Sequence, residues 1–140
     1  MGTRSVTYIH NGNRSAETIC AIYRQMDGYP SAMGNELSEA LGGKKLINGI
    51  SGDYNSIMNG MGCAAAQLVA KLKTVPGSIY LQHPDCDGED CNYHIYYDGD
   101  VYNPAPDARL SIDFLSGDCL IWSGLLSDFD GELIEATMDE

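Results

Sequence analysis

Residues 59–75 read Asn-Gly-Met-Gly-Cys-Ala-Ala-Ala-Gln-Leu-Val-Ala-Lys-Leu-Lys-Thr-Val, and the fold turns on how this stretch is read. Ala65, Leu68, Val69 and Leu72 recur at helical spacing, Asn59 is a helix-capping residue type, Lys71 and Lys73 suit the negative C-terminal end, and Pro76 closes the run. A central helix with one apolar face is therefore expected, and such a face needs a sheet to cover it. The entry to this helix is rich in glycine. Gly60 and Gly62 permit close approach of a backbone or ligand and deliver Cys63 to a helix start, where a thiolate or another anion is favoured.

Toward the N-terminus, residues 3–10 form a β-rich run, Asn11-Gly12 is a hairpin signal, and a second strand is expected over Thr18–Gln25. Asp27-Gly28-Tyr29-Pro30 breaks that strand, and a helix follows over Ser31–Leu41 with Met33, Leu37, Ala40 and Leu41 on one stripe and Gly42-Gly43 as its stop. Residues 44–50 read as a buried linker and residues 51–58 as a polar loop. Toward the C-terminus, strands are expected over Gly77–His83, Asn92–Tyr97, Asp100–Asn103, Arg109–Leu115 and Asp118–Ser123, with turns at Asp98-Gly99 and Ser116-Gly117. Leu125–Ala136 has the pattern of a short amphipathic helix weakened by Gly131. The order predicts a single α+β domain over residues 1–140, with a mostly antiparallel sheet of about six or seven strands and two main helices packed on one face.

Charge limits the function classes. The 140 residues carry 20 acidic against 8 basic side chains, a formal charge of −12, which repels phosphate and argues against direct nucleic-acid binding. Such a chain prefers basic partners or cations, and occupying a basic groove by charge mimicry is within its reach. No window approaches the roughly 18 apolar residues of a membrane span, so no membrane association is expected. The N-terminus lacks a signal-peptide pattern, Val6 occupies the position where a myristoylation motif wants Ser or Thr, and an intracellular, cytoplasmic setting is expected. The 5 cysteines then read as free thiols or metal ligands.

His83, Cys86, Cys91 and His94 form H-x2-C-x4-C-x2-H around an acidic turn, a donor set that suits tetrahedral zinc if a hairpin brings the ligands together. The turns Asp85–Glu89 and Asp128–Glu132 cluster carboxylates of the kind that bind calcium, although neither matches the EF-hand spacing. Cys63 on a helix followed by His94 on a strand has the chain order of papain-like and CHAP-type amidases, giving a candidate nucleophile and base. Against this, a small cysteine beside Ala64, Ala65 and Ala66 is more often close packing between helix and sheet. Arg4, Arg24, Gln25, Asp27 and Tyr29, combined with the helix start at Asn59, Gly60 and Gly62, form a candidate pocket for a small anion. The alternative is that Arg24 pairs with a carboxylate to fix the turn.

Met-Gly-Thr-Arg at 1–4, Tyr-Arg-Gln-Met-Asp-Gly-Tyr-Pro at 23–30, Ile-Asn-Gly-Ile at 47–50 and Asn-Gly-Met-Gly-Cys-Ala-Ala-Ala-Gln-Leu-Val-Ala at 59–70 resemble a family of small phage and prophage proteins. The resemblance covers roughly the first half of the chain and the hairpin region, and it brings no assigned reaction or residue roles. It implies a phage setting, in which small acidic proteins are frequently accessory factors that counteract bacterial antiviral defence such as CRISPR or nucleotide signalling. Three functions follow as expectations. The first is inhibition of a host defence protein through an acidic surface including Asp128, Asp130 and Glu132. The second is sequestration of a nucleotide signal by the Arg24 pocket, with a homo-oligomer completing it. The third is hydrolysis through Cys63 and His94 or through zinc.

Overall fold

The computed structural model describes residues 2–49 and 53–139. Its framework is a six-stranded sheet in the order β5-β2-β1-β6-β7-β8. These strands are β1 (Ser5–His10), β2 (Thr18–Arg24), β5 (Tyr80–Gln82), β6 (Cys91–Tyr96), β7 (Ser111–Ser116) and β8 (Cys119–Leu125). Only the central β1–β6 pair is parallel, and the other neighbours run antiparallel. A small second sheet pairs β3 (Lys45–Ile47) with β4 (Ile57–Asn59) in parallel. The α+β architecture expected from the sequence is the one observed.

The helices cover one face of the large sheet because strand alternation makes that face apolar. Ile9, Ile22, Tyr93, Ile95, Ile112 and Phe114 point toward it and form one cluster with Met61, Ala64, Ala65, Leu68 and Leu72 of α2 (Gly60–Leu72). Leu68 is fully buried, and withdrawing a leucine side chain from water contributes about 1.5–3 kcal/mol. Helix α1 spans residues 30–42, with wide π-type turns at Pro30–Gly34 and Ser38–Gly42 flanking Asn35–Leu37. It adds Met33, Leu37, Ala40 and Leu41 to the same cluster, the stripe read from the sequence. Helix α3 (Gly131–Met138) closes the chain, capped by Asp130, whose Oδ1 accepts from the Leu133 amide at 3.2 Å.

Several local expectations are corrected. Gly131 does not weaken the C-terminal helix from within; it stands at its first position, where an added Cβ would strike the Pro30 carbonyl of α1. Residues 100–103 are a turn rather than a strand, since Asp100 Oδ1 captures the Tyr102 amide at 2.9 Å and the Asn103 amide bonds to the Asp100 carbonyl. Asp98-Gly99 therefore opens a long connection from β6 to β7 instead of a tight hairpin. Asn11-Gly12 does open the antiparallel β1–β2 hairpin, through a wider loop over residues 11–17 closed by the Asn11 amide on the Glu17 carbonyl at 2.8 Å. The expected linker over 44–50 and loop over 51–58 supply β3 and β4, and their segment at 50–52 lies outside the described residues. No helix among the described residues is long and apolar enough to cross a membrane.

Candidate functional site

The glycine-rich entry to α2 sits at the edge of a cleft of about 230 Å³ lined by Gly49, Tyr54, Ile57, Asn59, Cys63 and Gln67. Gly60 has φ +85°, which favours glycine, and beyond the adjoining chain no atom of the described residues lies within 4 Å of where a Cβ would stand at Gly60 or Gly62. The first glycine thus serves a backbone bend, and neither is needed to bring a neighbour close. Asn59 does not cap the helix through its side chain; its Oδ1 accepts from the Gly49 amide at 2.8 Å and ties β4 to the loop after β3. Cys63 Sγ receives Gln67 Nε2 at 3.2 Å.

Arg24 lies at the other end of α2. Its cleft, about 230 Å³, is lined by Met26, Asp27 and Glu36 together with Lys71, Leu72 and Thr74 at the C-terminal end of that helix. A helix of this length separates its ends by roughly 20 Å at 1.5 Å per residue, so the anion pocket that combined Arg24 with Asn59, Gly60 and Gly62 is not assembled. Arg24 is also occupied. Its Nη1 meets Glu36 Oε2 at 2.6 Å and its Nε donates to the Met26 carbonyl at 2.8 Å, the pairing that fixes the turn after β2. Asp27 in that turn takes φ +60°. Gln25 and Tyr29 line no part of this cleft, and the neighbouring Asp27 carboxylate pushes the Tyr29 phenol up from its ordinary pKa. Arg4 is turned away toward Glu89 at 3.6 Å and Asp90 at 4.0 Å.

Sheet parity also separates the other proposed constellations. Cys91 belongs to the core on the helix face, whereas His94, three residues along the same strand, points to the opposite face. Cys86 shares a cleft with His94, and His83 is exposed, with its Nδ1 receiving the Asp85 amide at 3.1 Å. Among the described residues no group of three or more His, Cys, Asp or Glu side chains is arranged to hold a metal, so neither the zinc quartet nor the acidic turns form a site. The Cys63–His94 dyad fails for the same geometric reason: α2 lies on one side of the sheet and His94 on the other.

What the structure does gather is acid. A cleft of about 450 Å³ between α1 and the segment leading into α3 is lined by Asn35, Ser38, Glu39, Ser127, Asp128, Phe129, Asp130 and Glu132. Every charged residue in that lining is a carboxylate. Its walls are fixed by hydrogen bonds across the two segments: Asn35 Nδ2 donates to Glu132 Oε2 at 2.9 Å, Asn35 Oδ1 accepts from the Gly131 amide at 2.8 Å, and Ser38 Oγ donates to the Leu126 carbonyl at 2.8 Å. The arginines are neutralised elsewhere, Arg4 by Glu89, Arg14 by Asp113, Arg24 by Glu36 and Arg109 by Asp107. The acidic surface expected from the sequence includes Asp128, Asp130 and Glu132 but not Glu39, because nothing in the spacing shows that α1 and α3 meet.

A second feature escaped the sequence reading. On the helix-free face, Tyr8, His10, His94, Tyr96 and Asp113 come together from β1, β6 and β7. His10 and His94 share a hydrogen bond of 2.8 Å, and Tyr8 stacks on His94 with ring centroids 4.7 Å apart. Burial holds the His94 imidazole down to a pKa of about 3, reinforced by Arg14 and His10 and opposed by Asp113, and burial lowers His10 as well. Compared with family models, with curated proteins and with solved structures, the chain matches none.

Proposed function

We propose that this protein is a binding protein whose acidic cleft receives a basic surface of a protein partner. In the phage setting implied by the resemblance, the partner is a host protein of antiviral defence, met in the cytoplasm of the infected cell and inhibited by occupation of a basic groove. The observation that carries this reading is the distribution of charge. The arginines are spent on internal ion pairs, while Glu39, Asp128, Asp130 and Glu132 line one cleft with no cation among them. Held on two packed segments, these carboxylates are positioned before a partner arrives, which lowers the entropic cost of docking. Opposite charge across such a contact chiefly raises the association rate and selects the partner.

The test is a set of neutralising substitutions, Glu39→Gln, Asp128→Asn and Glu132→Gln, which keep side-chain size and leave the α3 cap at Asp130 intact. Binding to a basic partner should weaken progressively with each substitution and with added salt, mainly through slower association. Unchanged association in the triple variant would remove the cleft from the account. Sequestration of a nucleotide signal ranks second, on the presence of Arg24 and Lys71 in one cleft. It requires phosphate to displace Glu36 from Arg24.

A further inference from the structure

The histidine pair on the helix-free face is set by one backbone carbonyl. His10 Nδ1 lies 2.9 Å from the Ala16 carbonyl oxygen, which only accepts, so that nitrogen carries the proton. In neutral His10 the remaining Nε2 is then a lone pair. It sits 2.8 Å from His94 Nδ1, which must donate to it. His94 is thereby held with its proton on Nδ1 and with Nε2 as a bare acceptor. That Nε2 has no partner among the described residues, and it is absent from the fully enclosed polar atoms without partners, which are Ser5 Oγ and Thr7 Oγ1, so it keeps contact with solvent.

His94 faces a cleft of about 300 Å³ whose lining includes Tyr8, Thr18, Asp85, Cys86 and Asp118. The charged groups there are the carboxylates of Asp85 and Asp118, and no lysine or arginine lines it. Two of the other hydrogen-bonding side chains are already used. Tyr8 donates its hydroxyl to the Cys86 carbonyl at 3.0 Å, and Asn92 bonds on both sides of its amide to Glu89 and Gly117. What the cleft offers a ligand is therefore His94 with its unpartnered Nε2, the carboxylates of Asp85 and Asp118, the Thr18 hydroxyl and the Tyr8 ring. We propose that this cleft is a binding site for a small organic cation bearing N–H donors, an alkylammonium or a guanidinium group, with His94 Nε2 as its hydrogen-bond acceptor. An imidazole that resists protonation so strongly is a weak general base but a dependable acceptor, because it does not charge and repel the cation near neutral pH. None of the lining of the acidic cleft between α1 and α3 belongs to this one, so the two sites stand or fall separately.

The experiment follows the imidazole nitrogens of His94 by NMR in the full chain while methylguanidinium, methylammonium or tetramethylammonium is added. Before any addition, His94 should show protonated Nδ1 and unprotonated Nε2. Methylguanidinium or methylammonium should move the Nε2 resonance saturably, the stronger of the two identifying the preferred cation, whereas tetramethylammonium, which has charge but no N–H, should not. In His94→Phe, affinity for the preferred cation should be about tenfold weaker, the loss of one hydrogen bond to a charged group. A proton on Nε2 in the free protein, an equal response to tetramethylammonium, or a linear response to every cation would each overturn the proposal. The tautomer and tetramethylammonium arms use the unmodified chain and decide the matter even if His94→Phe does not fold.

Discussion

Replacing Arg24 with methionine separates the structural role assigned to this residue from a role in holding a phosphate. The substitution keeps an unbranched apolar stem and removes the guanidinium, whose Nη1 also donates to Met33 Sδ at 3.4 Å. At 2.6 Å, the attraction between Arg24 Nη1 and Glu36 Oε2 is about 6 kcal/mol with an effective dielectric near 20. Most of that does not survive as stability. The Arg24 side chain is 17% exposed and was desolvated to reach the pair, while Glu36 is 43% exposed and screened by water. Adding the lost bond to the Met26 carbonyl, the net cost should be about 1–3 kcal/mol. For a chain of 140 residues each kcal/mol lowers the melting temperature by about 3 °C, so a fall of about 3–9 °C is expected. Urea denaturation of Arg24→Met, Glu36→Gln and the double variant should give a coupling energy of about 1 kcal/mol at unchanged m-value. Binding of a basic partner should be unaffected by Arg24→Met. If coupling is absent and the single substitution instead abolishes capture of a nucleotide without altering stability, Arg24 serves a ligand and the reasoning is wrong.

Other outcomes follow from the packing. An added Cβ at Gly34 would run into the Phe129 ring, so Gly34→Ala should cost about 1–3 kcal/mol in urea denaturation. The Thr7 hydroxyl is enclosed without a partner among the described residues, so Thr7→Val should be neutral or stabilising by about 1 kcal/mol; a clear loss would mean that solvent bonds the hydroxyl. Cys63→Ser should leave partner binding intact and change stability by less than about 1 kcal/mol, since among the described residues the half-buried thiol bonds only to Gln67. His94 stays neutral in the fold down to about pH 3, while an unfolded histidine protonates near its ordinary 6.5. Between those values the unfolded chain binds more protons, so stability falls as pH falls, by up to about 1.4 kcal/mol per pH unit for this one group and less with solvent access. Denaturation midpoints from pH 7 to pH 4 should therefore drop more steeply in the native chain than in His94→Gln.

The fold was legible where residues act locally. The Leu68 and Leu72 stripe, the Met33 to Leu41 stripe and the β-rich runs on either side each carry their own period, and together they dictate an α+β arrangement. The errors concern short polar segments, where a side chain decides the outcome. Asp100 turned an expected strand into a turn by holding the Tyr102 amide, and Asn59 bonded to the Gly49 amide in place of capping. Parity was not readable as far as Cys91, because the strand was expected to begin at Asn92; with β6 starting at Cys91, Cys91 and His94 fall on opposite faces and the zinc quartet is lost. The acidic cleft and the His10–His94 pair were not readable. Each depends on which strands or helices become neighbours, His10 and His94 meeting through a parallel β1–β6 pairing that no local pattern announces.

The claim that a basic partner docks into the cleft of Glu39, Asp128, Asp130 and Glu132 is tested most directly by comparing two baits in bacterial lysate, the native chain and the variant Glu39→Gln, Asp128→Asn, Glu132→Gln. Captured proteins and co-purified small molecules are identified by mass spectrometry, and each captured protein is purified and titrated against both baits at rising salt. The account predicts a basic protein held by the native chain, released as salt increases and bound far more weakly by the variant. Equal binding of that protein by both baits, or a nucleotide retained by both with no protein captured, would contradict it.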